Sequence, residues 1–353
     1  MGKSLEQEKS SVLPPDLVSG TSAPAVPALI QDKVIAPNTE FNFTVTAEAV
    51  GERLDNFIAR QFAAYSRSFF KGLIIDQLVQ INQRLAARPG VTLKLGDQVM
   101  VQFPPAQLPQ QLLAAVDELA VQVLAVEPDF LVLDKPAGLV VHQPQHDFYG
   151  VTLVDWVVRH FQEIKQVGYA DRPGIVHRLD LQTSGLILIA RNSFAQALIS
   201  DKFRNREMHK TYLAVVHGQP APTGIIDLAV MRHPVQRNRM TVVPSAGEAR
   251  LKQARSAFTS YRVLRYLPNN LAVLEVRPTT GRMHQIRVHL AALGHPIVGD
   301  GVYGSKSPLI KRHALHAYRL SFDYCGTDHS FTCPVPADLQ QLIPADVLAE
   351  LHT

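Results

Sequence analysis

Cysteine is nearly absent: Cys325 and Cys333 are the two in 353 residues. Two thiols supply neither a disulfide framework nor a four-thiolate zinc site. No run approaches the ~18 uncharged apolar residues of a membrane helix. The opening segment MGKSLEQEKS carries Lys3, Glu6, Glu8 and Lys9 with no apolar stretch behind it. It has neither the layout of a secretory signal nor, with Glu6 at the decisive position, that of a myristoylation motif. These absences predict a cytoplasmic protein with no membrane association. Also missing are G-x-x-x-x-G-K-[ST], a helix-opening G-x-G-x-x-G, G-x-S-x-G and H-E-x-x-H. Phosphate cradling, dinucleotide binding, serine-hydrolase chemistry and zinc proteolysis therefore lack their usual signatures.

What is present suits a folded chain of about two domains at roughly 150 residues each. Hydrophobic residues make up 46% and charged residues 19%, enough apolar mass to exclude wholesale disorder. The net charge of +4 is unevenly spread. Residues 1–48 carry three Lys against six acids, residues 49–103 seven Lys/Arg against four acids, and residues 228–256 six Lys/Arg against one. Basic segments of this kind favour a polyanionic partner, though solvated faces give the same count.

Five prolines among Ser, Ala and Val mark residues 1–48 as a mobile tail, with no sustained period over its first 40 residues. Between 49 and 103, Leu54, Phe57, Ile58 and Phe62 recur at helical spacing, and Phe69, Phe70, Leu73 and Ile74 predict a second helix. QLVQINQRL and QVMVQF read as short strands, giving a small α+β module. Residues 104–118, stiffened by Pro104, Pro105 and Pro109, read as a linker. The larger domain, 119–353, shows strand-like runs at 121–126, 130–135, 185–191, 210–218, 256–264 and 270–278. Helical stretches fall at 152–163, 193–206 and 284–293. Strands mostly follow one another directly, which predicts an α+β fold with a mixed, largely antiparallel sheet and flanking helices.

Two segments carry candidate chemistry. GIVHRLDLQTSGLILIAR (174–191) reads as a short strand, a polar turn from His177 to Gly185, and an apolar strand. A polar turn between buried strands sets side chains at a sheet's rim, where functional groups collect, although an ordinary turn with a surface ion pair would look the same. TGRMHQIRVHLAALGHPIVGDGVYG (280–304) places Arg282, His284, Gln285 and Arg287 where a strand gives way to a helix. Arg287 could reach a carboxylate and hold it ionised, and an ionised Asp180 in a closed site is a plausible nucleophile or proton acceptor. Tyr212 offers a ring on which a base could stack, or simply a half-buried strand aromatic. His284, His289 and His295 cluster along 284–295, but positions five apart share a helix face poorly, so no metal site is predicted.

The blocks are identifiable. His177-Arg178-Leu179-Asp180 followed by Thr183-Ser184-Gly185 resembles the signature of the RluA/RluC/RluD-type (large-subunit-type) pseudouridine synthases. KTYLAVVHG (210–218) and GRMHQIRVHLAALGHPIVGDGVYG resemble that family's second and third blocks, and KPAGLVVH (135–142) and ALHAYRLSF (314–322) match further segments in order. The module at 49–103 resembles an S4 RNA-binding (αL-type) domain through Arg53-Leu54-Asp55, Ser66-Arg67-Ser68, Val79-Gln80-Ile81-Asn82 and Gly96-Asp97. It departs at Gln83, where the pattern has Gly.

The resemblance implies a cofactor-independent RNA isomerase without metal or nucleotide cofactor, a monomer acting on structured RNA. Ribosomal RNA of the large subunit is favoured, with transfer RNA the alternative. It makes Asp180 the catalytic aspartate, Tyr212 the tyrosine against the target base, Arg287 the aspartate's partner and Arg178 the residue filling the gap left by a flipped nucleotide. His177 is expected beside the substrate. Arg67, Lys71, Arg237 and Arg239 are expected on the RNA backbone, the last two in a basic hairpin at 228–256. Two other readings remain: a silent RNA-binding protein, and a hydrolase pairing Asp180 with a histidine.

Overall fold

The computed structural model describes residues 30, 35, 38–103, 110–143, 150–236, 239–243 and 254–351. Its N-terminal module comprises β1 (Glu40–Thr44), α1 (Leu54–Gln61), α2 (Arg67–Ile75), β2 (Val79–Ile81), β3 (Arg84–Leu85) and β4 (Gln98–Gln102). The four strands lie in the order β1-β4-β2-β3. Ser66 caps α2 by accepting the Phe69 N–H at 3.2 Å, satisfying a donor that the helix leaves orphaned. The β2–β3 turn keeps Asn82 and Gln83 at φ +51° and +63°, so Gln83 adopts the left-handed geometry that glycine would take without strain.

Two boundaries differ from the sequence expectation. The tail expected through residue 48 instead supplies β1, paired with β4 from Glu40↔Gln102 to Thr44↔Gln98. Phe41 and Phe43 alternate onto one face and meet Phe62 edge-on, with centroids at 5.0 and 5.6 Å. Two apolar residues in a five-residue strand make a weak periodic signal after a proline-rich stretch. The expected linker carries α3 (Gln110–Asp117), whose final Asp117 takes a two-armed hydrogen bond from Arg159.

The larger domain runs β5 (Gln122–Val126), β6 (Phe130–Lys135), α4 (Leu153–His160), β7 (Ser184–Ala190), α5 (Ser193–Asn205), β8 (His209–His217) and β9 (Thr223–Asp227). It continues β10 (Ala229–Arg232), β11 (Met240–Val243), β12 (Phe258–Leu267), β13 (Leu271–Pro278), α6 (Gln285–Ala292), β14 (Leu315–Tyr324), β15 (Thr327–Thr332), α7 (Ala337–Gln340) and α8 (Ala345–Glu350). The main sheet is ordered β5-β6-β7-β14-β8-β13-β12-β9, with β15 on β14 and β10–β11 a separate hairpin. Its one parallel contact joins His316 and Ala317 to Ser184 and Gly185; the other pairs are antiparallel, as the run of consecutive strands predicts.

That parallel contact brings the starts of β7 and β14 to the same end of the sheet. Tyr212 of β8 pairs with both Ala317 and Val276, so the end of β13 and the turn into α6 arrive there too. Gly185 makes the crossing possible: its φ is +113°, and a Cβ would stand 2.3 Å from the Ala317 carbonyl oxygen. β7 is buried along its whole length, and the core beneath it includes Leu133, Val157, Ile187 and Ile199. A second core joins β8 and β13 to α6 and the C-terminal helices through Leu213, Leu274, Leu290 and Leu339. The module meets this domain through Ser66, whose hydroxyl and N–H donate to Asp171 at 2.6 and 3.0 Å, and through the Ala170 N–H on the Ala64 carbonyl.

Candidate active site

The loop before β7 is fastened on several sides. His177 Nε2 accepts the Leu188 N–H at 2.8 Å, and Ile175 bridges Ile189. Together they cover the β7 edge that β14 leaves unpaired. The His177 ring stacks on Phe203 at 4.5 Å. Burial first, and then the charge of Lys210, hold this imidazole down at about 3, so it stays neutral and accepts. Lys135, fully buried, donates to the carbonyls of Pro136, Leu139 and Leu181. Burial and the Arg312 charge pull its ammonium down to about 7. Arg312 reaches the Gln182 carbonyl, and Thr183 Oγ1 meets His313 Nε2 at 2.8 Å.

Asp180 sits at the apex of this braced loop with 17% of its side chain exposed. Arg287 Nη1 donates to its Oδ2 at 3.1 Å. The other edge of the guanidinium is bidentate on Asp300, Nε and Nη2 donating at 2.7 and 2.9 Å. Asp300 also accepts the N–H groups of Val302 and Tyr303. Burial acts to raise the Asp300 pKa, but Arg287 and these N–H groups outweigh it and keep the carboxyl below its ordinary range. Burial likewise opposes the Arg287 charge, and Asp300 and then Asp180 overcome it. A planar guanidinium held on one edge by a buried carboxylate presents its remaining N–H in a fixed direction.

A cavity of about 420 Å³ opens over Asp180, and Tyr212, Arg287, Arg178 and His177 line it as well. All five residues that the sequence placed at the substrate therefore share one cleft, with Arg178 exposed at its wall. Tyr212 is half-buried; burial and then the Asp180 charge push its hydroxyl well above the usual range, so it stays protonated. Lys210 also lines the cleft, donates to the Thr280 carbonyl and is drawn down to about 8 by burial and by Arg282. His284, in left-handed backbone at φ +54°, sets Nε2 4.0 Å from Asp180 and Nδ1 2.9 Å from the Tyr303 hydroxyl.

Sequence reasoning missed Asp300, Lys210 and Tyr303. The Arg287–Asp300 pair spans a helix and a turn, a separation no periodic pattern marks. The three histidines weighed as a cluster go to separate partners: His284 to Tyr303, His289 to Thr259 and the Leu228 carbonyl, His295 to the His217 carbonyl.

Of the residues expected on the RNA backbone, Arg67, Lys71 and Arg239 do not line this cleft. Arg67 donates twice to the buried Asp55, which Lys71 approaches at 3.9 Å and Arg53 also binds. Three cations on one carboxylate leave two positive charges on an exposed face. Burial favours a neutral Asp55, yet Arg53 and Arg67 keep it ionised below its usual range. Arg239 follows the hairpin turn and lies over the Tyr303 ring at 5.3 Å. Arg237 lies outside the described residues.

A cleft pairing a carboxylate, a guanidinium and a tyrosine, in a chain that also carries a small basic module, is of the kind an RNA-modifying enzyme needs. Residues 129–292 match the family described as RNA pseudouridylate synthase, and residues 52–99 match the S4 domain. An RNA pseudouridine synthase of Aquifex aeolicus (strain VF5) is 37% identical over 270 residues, covering 76% of this chain and 82% of the relative. The ribosomal large subunit pseudouridine synthase D of Escherichia coli (strain K12) is 32% identical over 325 residues, 88% of this chain and 95% of that protein. Human RNA pseudouridylate synthase domain containing 1 superposes with a TM-score of 0.53 at 26% identity, over 66% of this chain and 95% of that structure. The chain belongs to the RNA pseudouridine synthases and is an isomerase. No helix among the described residues is long and apolar enough to cross a membrane.

Proposed function

We propose that the protein isomerises uridine to pseudouridine in large-subunit ribosomal RNA, acting in the cytoplasm, with Asp180 as the catalytic residue. The observation that carries this is the Asp180–Arg287–Asp300 chain of hydrogen bonds opening into a cleft walled by Tyr212. Coverage of 95% of a relative named for the large ribosomal subunit supports the substrate class. The bond from ribose C1′ to N1 breaks, the base turns, C1′ bonds to C5, the C5 proton leaves and N1 gains one. No electrons are exchanged with a cofactor.

Asp180 attacks the base, attacks the sugar or removes a ribose proton, and Arg287, bound to its Oδ2, holds the carboxylate toward the substrate. The Tyr212 ring carries the base. Its hydroxyl is held protonated, by burial first and then by the Asp180 charge, so Tyr212 meets the base as a neutral ring. It helps remove the C5 proton only after passing its own hydroxyl proton on, a step that loss of the Asp180 charge on bonding to substrate makes easier. Arg178 takes the place of the extracted nucleotide, because removing a base from its stack costs a few kcal/mol that RNA contacts must return. His177, neutral and bound to Leu188, positions the loop.

The test is tritium release from RNA labelled at C5 of uridine, with large-subunit ribosomal RNA and total transfer RNA in parallel. Release from the ribosomal RNA is expected. Release from transfer RNA alone overturns the substrate class, and release from neither overturns the activity.

A further inference from the structure

A second cavity, also of about 420 Å³, abuts the first and shares Val176, His177, Arg178 and Ser200 with it. Arg178 therefore stands as a partition between two spaces of equal volume. The far space is walled by His142, Tyr169, Arg172, Ser193 and Gln196. The reaction at Asp180 uses none of these five.

Their chemistry is that of a nucleotide site. The Arg172 guanidinium lies 5.0 Å over the ring of Tyr169, which is 44% exposed. A stacked guanidinium is a flat cationic platform on which a base can lie. His142 Nδ1 is buried with no hydrogen-bond partner among the described residues. Burial, then Arg178 and Arg172, hold its imidazole down at about 4, so at neutral pH it is an uncharged group able to read a base edge. Gly168 has φ +69°, and a Cβ there would stand 2.2 Å from the Gln196 amide. Glycine at this position lets that amide lie against the turn.

The location points the same way. Ala170 and Asp171, between Tyr169 and Arg172, are the residues that bond the S4 module at Ala64 and Ser66. Directly after Ser66, α2 presents Arg67 and Lys71. A single RNA strand can thus run from the cationic face of α2, past Arg172, to Arg178 and the Asp180 cleft.

We infer that the second cavity takes an unpaired base of the same RNA strand, adjacent to the target uridine, with its phosphate between Arg172 and Arg178. This inference rests on the synthase reading above. Pulling out a uridine leaves its neighbour without a stacking partner, and a site for that neighbour recovers part of the loss.

The test uses a ribosomal RNA fragment that the wild-type protein modifies, with each nucleotide flanking the target replaced in turn by an abasic one. Affinity and single-turnover pseudouridine formation are both measured. One adjacent abasic position is expected to weaken wild-type binding roughly tenfold, within the ~5- to 150-fold that loss of one stacked base brings. The Tyr169→Ala/Arg172→Gln double variant is expected to bind intact RNA roughly tenfold more weakly and to be indifferent to that abasic position. Tyr169→Phe, which keeps the ring, is expected to restore the sensitivity. Losses that multiply, or a double variant equal to wild type, overturn the inference while leaving the synthase reading intact. No weakening at any abasic position also overturns it, because an abasic nucleotide keeps its phosphate and only that contact would then remain. Uniform weakening at every position overturns it too, because it shows no dedicated site for one neighbouring base. A wild-type protein that modifies no RNA overturns the synthase reading instead.

Discussion

Arg287 is the residue on which the cleft's electrostatics turn. It is about 5% exposed and answers to two carboxylates, one buried and one at the cavity. Asp300→Asn keeps the shape and the acceptor for Val302 and Tyr303 but removes the charge that anchors the guanidinium. Losing one partner of a buried pair costs about 3–5 kcal/mol when nothing replaces it. Asp180 still faces Arg287, so about 3 kcal/mol is the expected loss in urea unfolding, together with a fall in turnover. Unchanged stability and turnover would remove Asp300 from its role. At this scale the sequence was most legible where identity carries chemistry: Asp180, Tyr212, Arg287, Arg178 and His177 converge on one cavity. Asp300 stayed hidden because its significance lies in a contact across a turn.

Elements show the opposite balance, since periodic patterns announce strands and helices but not how they cross. β6, β7, β8 and β13 were legible as apolar runs, and α1, α2 and α6 as helical stretches. β1 was lost because Phe41 and Phe43 are its only apolar side chains, and the parallel joining of β7 to β14 leaves no local mark beyond one glycine. Gly185→Ala tests that joining. A Cβ placed 2.3 Å from the Ala317 carbonyl in a left-handed conformation cannot be absorbed by a rotamer change. The variant is expected to lose about 3 kcal/mol or more in urea unfolding; a loss under 1 kcal/mol would mean the crossing can yield.

The hairpin β10–β11 makes a separate prediction. Tyr303 accepts the Met240 N–H and touches His284 through its hydroxyl, while Arg239 and Arg287 both lie over its ring. Arg239→Ala is expected to weaken RNA binding and lower the slope of log affinity on log salt by about one. An unchanged slope would place Arg239 off the phosphates.

Across the whole molecule, burial leaves several histidines neutral. His177 is held at about 3, and His142, His313 and His316 at about 4, against about 6.5 in an unfolded chain. Between pH 6.5 and 4 the unfolded chain binds protons that the native one refuses, so stability falls as pH falls through that window. Asp55, Asp300 and Asp338, all held below their usual range, extend the loss at lower pH. The urea midpoint is expected to drop steadily from pH 6.5 to 4.5; a flat midpoint would mean these rings are not shielded in solution.

The most direct test of the central claim compares wild type with Asp180→Asn on the same large-subunit ribosomal RNA, measuring bound RNA and C5 tritium release in one single-turnover experiment. The variant is expected to bind with wild-type affinity and to release tritium about 10⁴-fold more slowly or not at all, the scale on which loss of a reacting group is felt. Release at a rate near wild type would contradict the assignment of the chemistry to Asp180.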